Sequence, residues 1–248
     1  MSRPPGQIAM TWLIAWRAAT EALRDRMSLL VGLFFALVLP LGVLVLVVRP
    51  VAAADGASGA AVLGDQVSFY LLLVGVLPAF SAVGIAAGQF AGEKERGILT
   101  PLLASPASNL AIFAGKVLGA VVPPLIYAAA AEAVYAAGLA VLAGPATLAS
   151  LSVPLSVATI LLVPAVTCFA AVVASLISSR VRTFNAAQQL GGLALMPVWG
   201  LVFGLAARLR EVGPTALFET VGVLMVLDAA LTTLAAATWR REEVLAQR

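Results

Sequence analysis

Six apolar runs, each long enough to cross a lipid bilayer, constrain this chain more than any other feature. They fall at residues 28–48, 66–90, 111–143, 154–177, 188–206 and 216–237. A hydrocarbon core of about 30 Å takes about 20 consecutive apolar residues as a helix, whereas a membrane strand shows about 10 residues of alternating character. These runs are continuous, so helices are predicted. Composition agrees. Of 248 residues, 62% are hydrophobic and 11% charged, with a mean hydropathy of +1.04. Soluble domains sit near about 45–50% apolar and about 25% charged. A soluble globular domain, a disordered chain and a nucleic-acid partner are therefore excluded. The fold class predicted is an all-α membrane protein, one transmembrane domain over residues 1–248 in contact with a lipid bilayer.

Two scarcities limit the chemistry. There is no histidine, which removes imidazole metal ligation and histidine acid–base catalysis. There is one cysteine, Cys168, inside an apolar run. It reads as a small buried residue rather than part of a disulfide or cluster. No catalytic or metal-binding residue is predicted, and the chain does not read as an enzyme.

Ahead of the first span, residues 1–27 are mixed in character. Ile8, Trp12, Trp16, Ala19, Leu23 and Met27 recur at three- and four-residue spacing, with Arg17, Glu21, Arg24 and Asp25 on other faces. This predicts an amphipathic helix in the membrane interface, its tryptophans at headgroup depth. Ala52-Ala53-Ala54 resembles a signal-cleavage site only faintly, because the run before it is too long and starts too late. Residues 49–65, rich in Ala, Gly and Ser, read as a flexible loop. The third run exceeds a perpendicular span, so the end carrying Lys116 is placed outside the hydrocarbon. Pro123-Pro124 should kink that run or divide it.

Lysine and arginine set the orientation. With six spans, one side holds Arg3, Arg17, Arg24, Arg26, Lys94, Arg96, Lys116, Arg180, Arg182, Arg240, Arg241 and Arg248. The other holds Arg49, Arg208 and Arg210. The side with twelve is cytoplasmic, and both termini lie on it. No internal or inverted repeat is visible, which weakens many secondary-transporter folds.

Between the second and third spans the chain reads Gly92-Glu93-Lys94-Glu95-Arg96-Gly97-Ile98-Leu99-Thr100-Pro101-Leu102-Leu103-Ala104-Ser105-Pro106, and Gly115-Lys116 follows. Four consecutive charges stand where the chain leaves the bilayer. Ile98, Leu99, Leu102 and Leu103 then form a short apolar face at helical spacing, stopped by Ser105-Pro106. Such a segment suits docking into a groove on a partner protein; the plainer reading is a loop whose charges only anchor topology. Gly115-Lys116 precedes Val117 and is not a phosphate loop.

Glu-x-Glu-Arg-Gly-x-Leu-x-x-Leu-Leu-x-Ser-Pro, followed by Gly-Lys, resembles the signature of ABC-2 type transporter permeases. Ile98 stands where that pattern usually has Thr. Ser178-Ser179-Arg180, Asn185, Gln188-Gln189 and Gly191-Gly192 resemble the family's link from helix four to helix five. The small sodium-efflux and drug-efflux permeases are the nearest type, and larger members carry extracellular segments for which only 207–215 is available here. The resemblance implies a short cytoplasmic coupling helix between helices two and three. Its ATPase-coupling residues would be Glu93, Glu95, Arg96, Gly97, Leu99, Leu102, Leu103 and Pro106. It further implies two ABC ATPase subunits holding ATP-Mg, no cofactor in this chain, a second permease copy or homologue, export, and residence in the cell inner (cytoplasmic) membrane.

Three carboxylates fall inside spans: Glu132, Glu219 and Asp228. Glu219 lies near the outer interface and reads as solvated. Glu132 and Asp228 read as mid-span with no basic residue at their depth. A charge at the bilayer centre costs about 2.5–3.5 kcal/mol on insertion scales, so such groups face an interior or a cavity. Each is either a cation or proton site in the permeation path or a hydrogen-bonded pin between helices. This leaves open a second function, an ion-coupled secondary transporter or channel using Glu132 and Asp228. An intramembrane enzyme is disfavoured by the lack of histidine and of paired Ser/Lys or Asp/Asp motifs.

Overall fold

Asp25 sets the first boundary. Its backbone is extended (φ −71°, ψ 127°), and its carboxylate accepts the Ser28 N–H at 2.9 Å, ending one helix and capping the next. The computed structural model of the chain describes residues 6–53, 67, 69–98, 105–144, 147, 153–207 and 209–238. These hold α1 (Gln7–Arg24), α2 (Arg26–Ala53), α3 (Phe69–Glu95), α4 (Asn109–Ala143), α5 (Val153–Arg180), α6 (Phe184–Ala207) and α7 (Leu209–Thr238), with no strand among the described residues. Six of them, α2 to α7, are long and apolar enough to cross a membrane. Leu30, Phe34, Leu46, Val141, Ile160, Leu193 and Val226 are more than or near half exposed on their outer faces. A soluble monomer rarely exposes so much contiguous apolar surface. The chain has the make-up of a multi-pass membrane protein.

The helices overrun the apolar runs that announce them. α2 continues through Arg49–Ala53, residues expected to begin a loop; the rest of that loop lies outside the described residues. α3 continues through Glu93–Glu95, so the charged run is its last turn. In α2 two widened turns, Phe34–Val38 and Leu44–Val48, each end two residues before a proline, Pro40 and Pro50. A proline ring clashes with the carbonyl four residues back and offers no N–H, and the wider turn accommodates both. Pro123 and Pro124 do not divide α4, which runs unbroken for 35 residues with both rings buried. In a bilayer neighbouring helices hold such a segment together, since no water competes for the backbone.

α5 lies at the centre, packed against α3, α4, α6 and α7, and α2 packs along α4. One apolar core joins α3 to α7; a second, of Val43, Leu44, Val74, Tyr135 and Leu139 among others, joins α2, α3 and α4. α1 lies against the first half of α4. There Gly115 and Gly119 bring the helices together: a Cβ on Gly115 would stand 2.8 Å from the Thr11 carbonyl oxygen, and one on Gly119 would overlap the Ala18 methyl. The buried face of α1 is thus its small one, Ala15, Ala18 and Ala19 with Met10, while Trp12 (66% exposed) and Trp16 (64%) point outward.

Candidate functional site

The end of α3 is where the sequence concentrates charge, and the fold ties three of its four charges to neighbouring helices. Helix α3 stops at Gly97, whose φ of 71° is left-handed. The Ile98 N–H donates to the Glu93 carbonyl and the Gly97 N–H to the Lys94 carbonyl, both at 3.1 Å, the paired bonds of a Schellman stop. Just before it, α3 widens over Gly88–Gly92. That turn is met from two sides. The Ser178 hydroxyl of α5 accepts the Ala91 N–H at 2.9 Å and donates to the Ala87 carbonyl at 3.2 Å. The Lys116 ammonium of α4 donates to the Gln89 carbonyl. Polar side chains from other helices therefore engage the backbone where the ladder is irregular.

Each charge of the run has an internal partner. Glu93 Oε2 pairs with Lys116 Nζ at 2.6 Å, and the lysine, only 2% exposed, also lies 4.9 Å from the centre of the Phe90 ring. Lys94 Nζ donates to the carbonyls of Ser179 (2.9 Å) and Val181 (3.1 Å) at the C-terminal end of α5. Glu95 Oε2 accepts the Phe184 N–H at 3.0 Å, at the N-terminal end of α6. A cation thus sits on a helix C-terminus and an anion on the next N-terminus, each matching the helix dipole for about 0.3–1 kcal/mol. Arg96 Nε donates to the Gly92 carbonyl at 3.2 Å. Two further bonds extend the cluster. Gln7 Oε1 of α1 accepts the Ser108 N–H at 2.8 Å, and an Arg180 guanidinium nitrogen donates to the Thr238 hydroxyl of α7 at 3.0 Å.

Of the residues picked out from sequence, Glu93, Glu95, Arg96 and Gly97 come together here, and Pro106 is exposed nearby, its carbonyl 3.4 Å from Gln7 Nε2. Leu99, Leu102 and Leu103 lie outside the described residues. The Lys116 end of α4, expected outside the hydrocarbon because the run exceeds one span, is packed inside the protein, with Lys116 itself buried. The sequence reading missed its role as Glu93's partner, along with Gln89 and Gln7. The Gly115-Lys116 pair was the available signal, since Gly115 admits α1 beside Lys116. The Gln89 contact is through its backbone and has no signature.

The two intramembrane carboxylates do not share a site. Glu132 stands sixteen residues beyond Lys116 on α4, about 24 Å along the axis. Asp228 stands ten residues before Thr238 on α7, about 15 Å along the axis from the charged end. Glu132 borders a cavity of about 380 Å³ between α3, α4 and α5, together with Tyr135, Ser156 and Thr159; Asp228 does not border it. Gly75 of α3 makes room for the carboxylate: a Cβ there would overlap Glu132 Oε1 and stand 2.9 Å from Val163. Buried oxygens of Glu132, Tyr135, Thr159 and Asp228 have no hydrogen-bond partner among the described residues. Glu219 is exposed. No group of three potential metal ligands occurs among the described residues.

No protein-family model matches the chain, and no curated protein is significantly similar to it.

Proposed function

We propose that the chain is the membrane-spanning permease subunit of an ATP-driven ABC exporter of the ABC-2 type. In this reading two copies, or one with a homologue, form the pathway, and each engages a separate ATPase that holds ATP-Mg. The observation that carries it is the arrangement around the 93–106 segment. Glu93, Lys94 and Glu95 bond to neighbouring helices and Arg96 to the Gly92 carbonyl, and Ile98, just past them, is 52% exposed and free to meet a partner. A push on that segment would reach α4 through Glu93–Lys116, α5 through Lys94 and α6 through Glu95. Such coupling moves helices as rigid bodies instead of bending them. α1 would lie in the interface with Trp12 and Trp16 at headgroup depth.

The test is co-purification. Leu102→Asp/Leu103→Asp should abolish recovery of the ATPase with the permease while the permease still inserts, because an apolar contact cannot accept two buried carboxylates. Recovery at the wild-type level would sink the coupling role. The permease alone, without a phosphate loop, should hydrolyse no ATP.

The same reading places both termini and the 93–106 segment in the cytoplasm. In a Cys168→Ala background, cysteines at positions 57 and 213 should react with an impermeant maleimide from outside, and one at Ser105 only after the membrane is opened. Labelling of position 105 in sealed cells would overturn this topology. A second reading, an ion-coupled transporter or channel, is favoured only by the unpartnered carboxyls of Glu132 and Asp228. Transport that follows an ion gradient without ATP would select it.

A further inference from the structure

The cavity beside Glu132 has the make-up of a binding site for a lipophilic organic cation. Its walls are apolar, formed by leucine, isoleucine and alanine side chains of α3, α4 and α5, with Leu71, Leu139 and Ile160 the largest besides Tyr135. Glu132 is the one acidic side chain bordering the space among the described residues; its Oε1 and the hydroxyls of Tyr135 and Thr159 have no hydrogen-bond partner there, and these three atoms are turned away from the space itself. Among the described residues no lysine or arginine borders the space. A carboxylate so placed calls for a cation, and the walls decide which kind. Hard inorganic ions such as Ca²⁺ collect roughly six to eight oxygen ligands, more than this lining offers. Pockets for drug-sized organic ligands run from about 300 to 1,000 Å³ and are mostly apolar with a few placed polar groups, and about 380 Å³ falls within that range. The cavity is also displaced, about 24 Å along α4 from the Lys116–Glu93 pair, toward the end of the bundle away from the charged cluster.

We propose that this cavity binds a bulky monovalent organic cation, with the Glu132 carboxylate as counter-ion and the apolar walls taking its hydrocarbon. Gly75 belongs to the design, since any side chain there would displace the carboxylate. As a transport substrate site this rests on the permease reading; as a binding site it does not need the ATPase.

The full-length chain in lipid nanodiscs, without any ATPase, would be titrated with radiolabelled tetraphenylphosphonium. Saturable binding is expected that the neutral triphenylphosphine oxide does not displace. Glu132→Gln should weaken it at least tenfold, and Ala136→Trp, which fills the cavity, should remove it. Glu219→Gln, on an exposed face, should leave it unchanged. Elution volume and melting temperature establish that each variant is folded, and the isosteric Glu132→Gln keeps the test valid if Ala136→Trp does not fold. Wild-type affinity in Glu132→Gln would overturn the proposal. So would ²²Na⁺ binding that Glu132→Gln abolishes while tetraphenylphosphonium binding stays intact, which would make this a small-ion site. A disulfide between two copies carrying Ala133→Cys in a Cys168→Ala background would overturn it as well, since a second chain would then cover the groove. Failure of the wild-type chain to recover any ATPase, with cation binding retained, would sink only the permease reading; ATPase recovered with the wild-type chain but no cation binding would sink only this site.

Discussion

Lys116→Met should lower the unfolding free energy of the detergent-solubilised chain by about 2–3 kcal/mol, the largest single-residue loss expected in this protein. The substitution keeps most of the side chain's volume and removes its charge. It leaves Glu93 facing a space from which water is largely excluded and takes the donor from the Gln89 carbonyl. Breaking a fully buried pair from one side costs about 3–5 kcal/mol, and the lower figure reflects Glu93, whose side chain keeps 21% of its exposure. The double variant Lys116→Met/Glu93→Leu should recover most of the loss, because a buried ion pair and an apolar pair of similar volume differ little in stability. Thermal or denaturant unfolding followed by fluorescence size exclusion separates the two. A single variant as stable as wild type would show that the pair is solvated. If the double variant is stable yet fails to couple to an ATPase, the pair serves transmission more than folding.

Gly115→Ala/Gly119→Ala should detach α1 from α4. Both new methyls would meet atoms that cannot move aside: the Thr11 carbonyl oxygen and Ile14 Cβ at 2.8 Å for position 115, and Ala18 Cβ and the Ala15 carbonyl for position 119. The whole of α1 must shift, and overpacking of this kind costs about 1–3 kcal/mol per site. The readout is limited trypsin cleavage at Arg17 and Arg24 in α1, expected to be several-fold faster than in wild type with the rest of the chain intact. Unchanged cleavage would mean that α1 is held by its outer face and not by this crossing.

How much of this was legible in the sequence depended on whether a property is local. The six spans were, because a bilayer selects for length and apolarity one helix at a time. So was the stop at Gly97, since the residue in the left-handed position is the one without a side chain. The helix ends were less so. α3 keeps Glu93–Glu95 in its last turn because α4, α5 and α6 supply partners for those charges, and nothing within the run announces them. Of the two outcomes expected at Pro123-Pro124, a kink or a division, division does not occur, because a proline's cost is set by what packs around it.

The sequence by itself determined that the chain is helical, that it has six segments able to cross a membrane, where its charge is concentrated, and that Glu132 and Asp228 lack a cation at their own depth along the helix. Tertiary structure alone decided what those charges do. It directed Lys94 to the end of α5 and Glu95 to the start of α6, buried Lys116 against Glu93, separated Glu132 from Asp228, and opened the space in which Glu132 stands. The physical reason is reach. A side chain acts over a few ångströms, and its neighbours within that distance are chosen by how helices pack, through small residues such as Gly75, Gly115 and Gly119 that carry no pattern of their own.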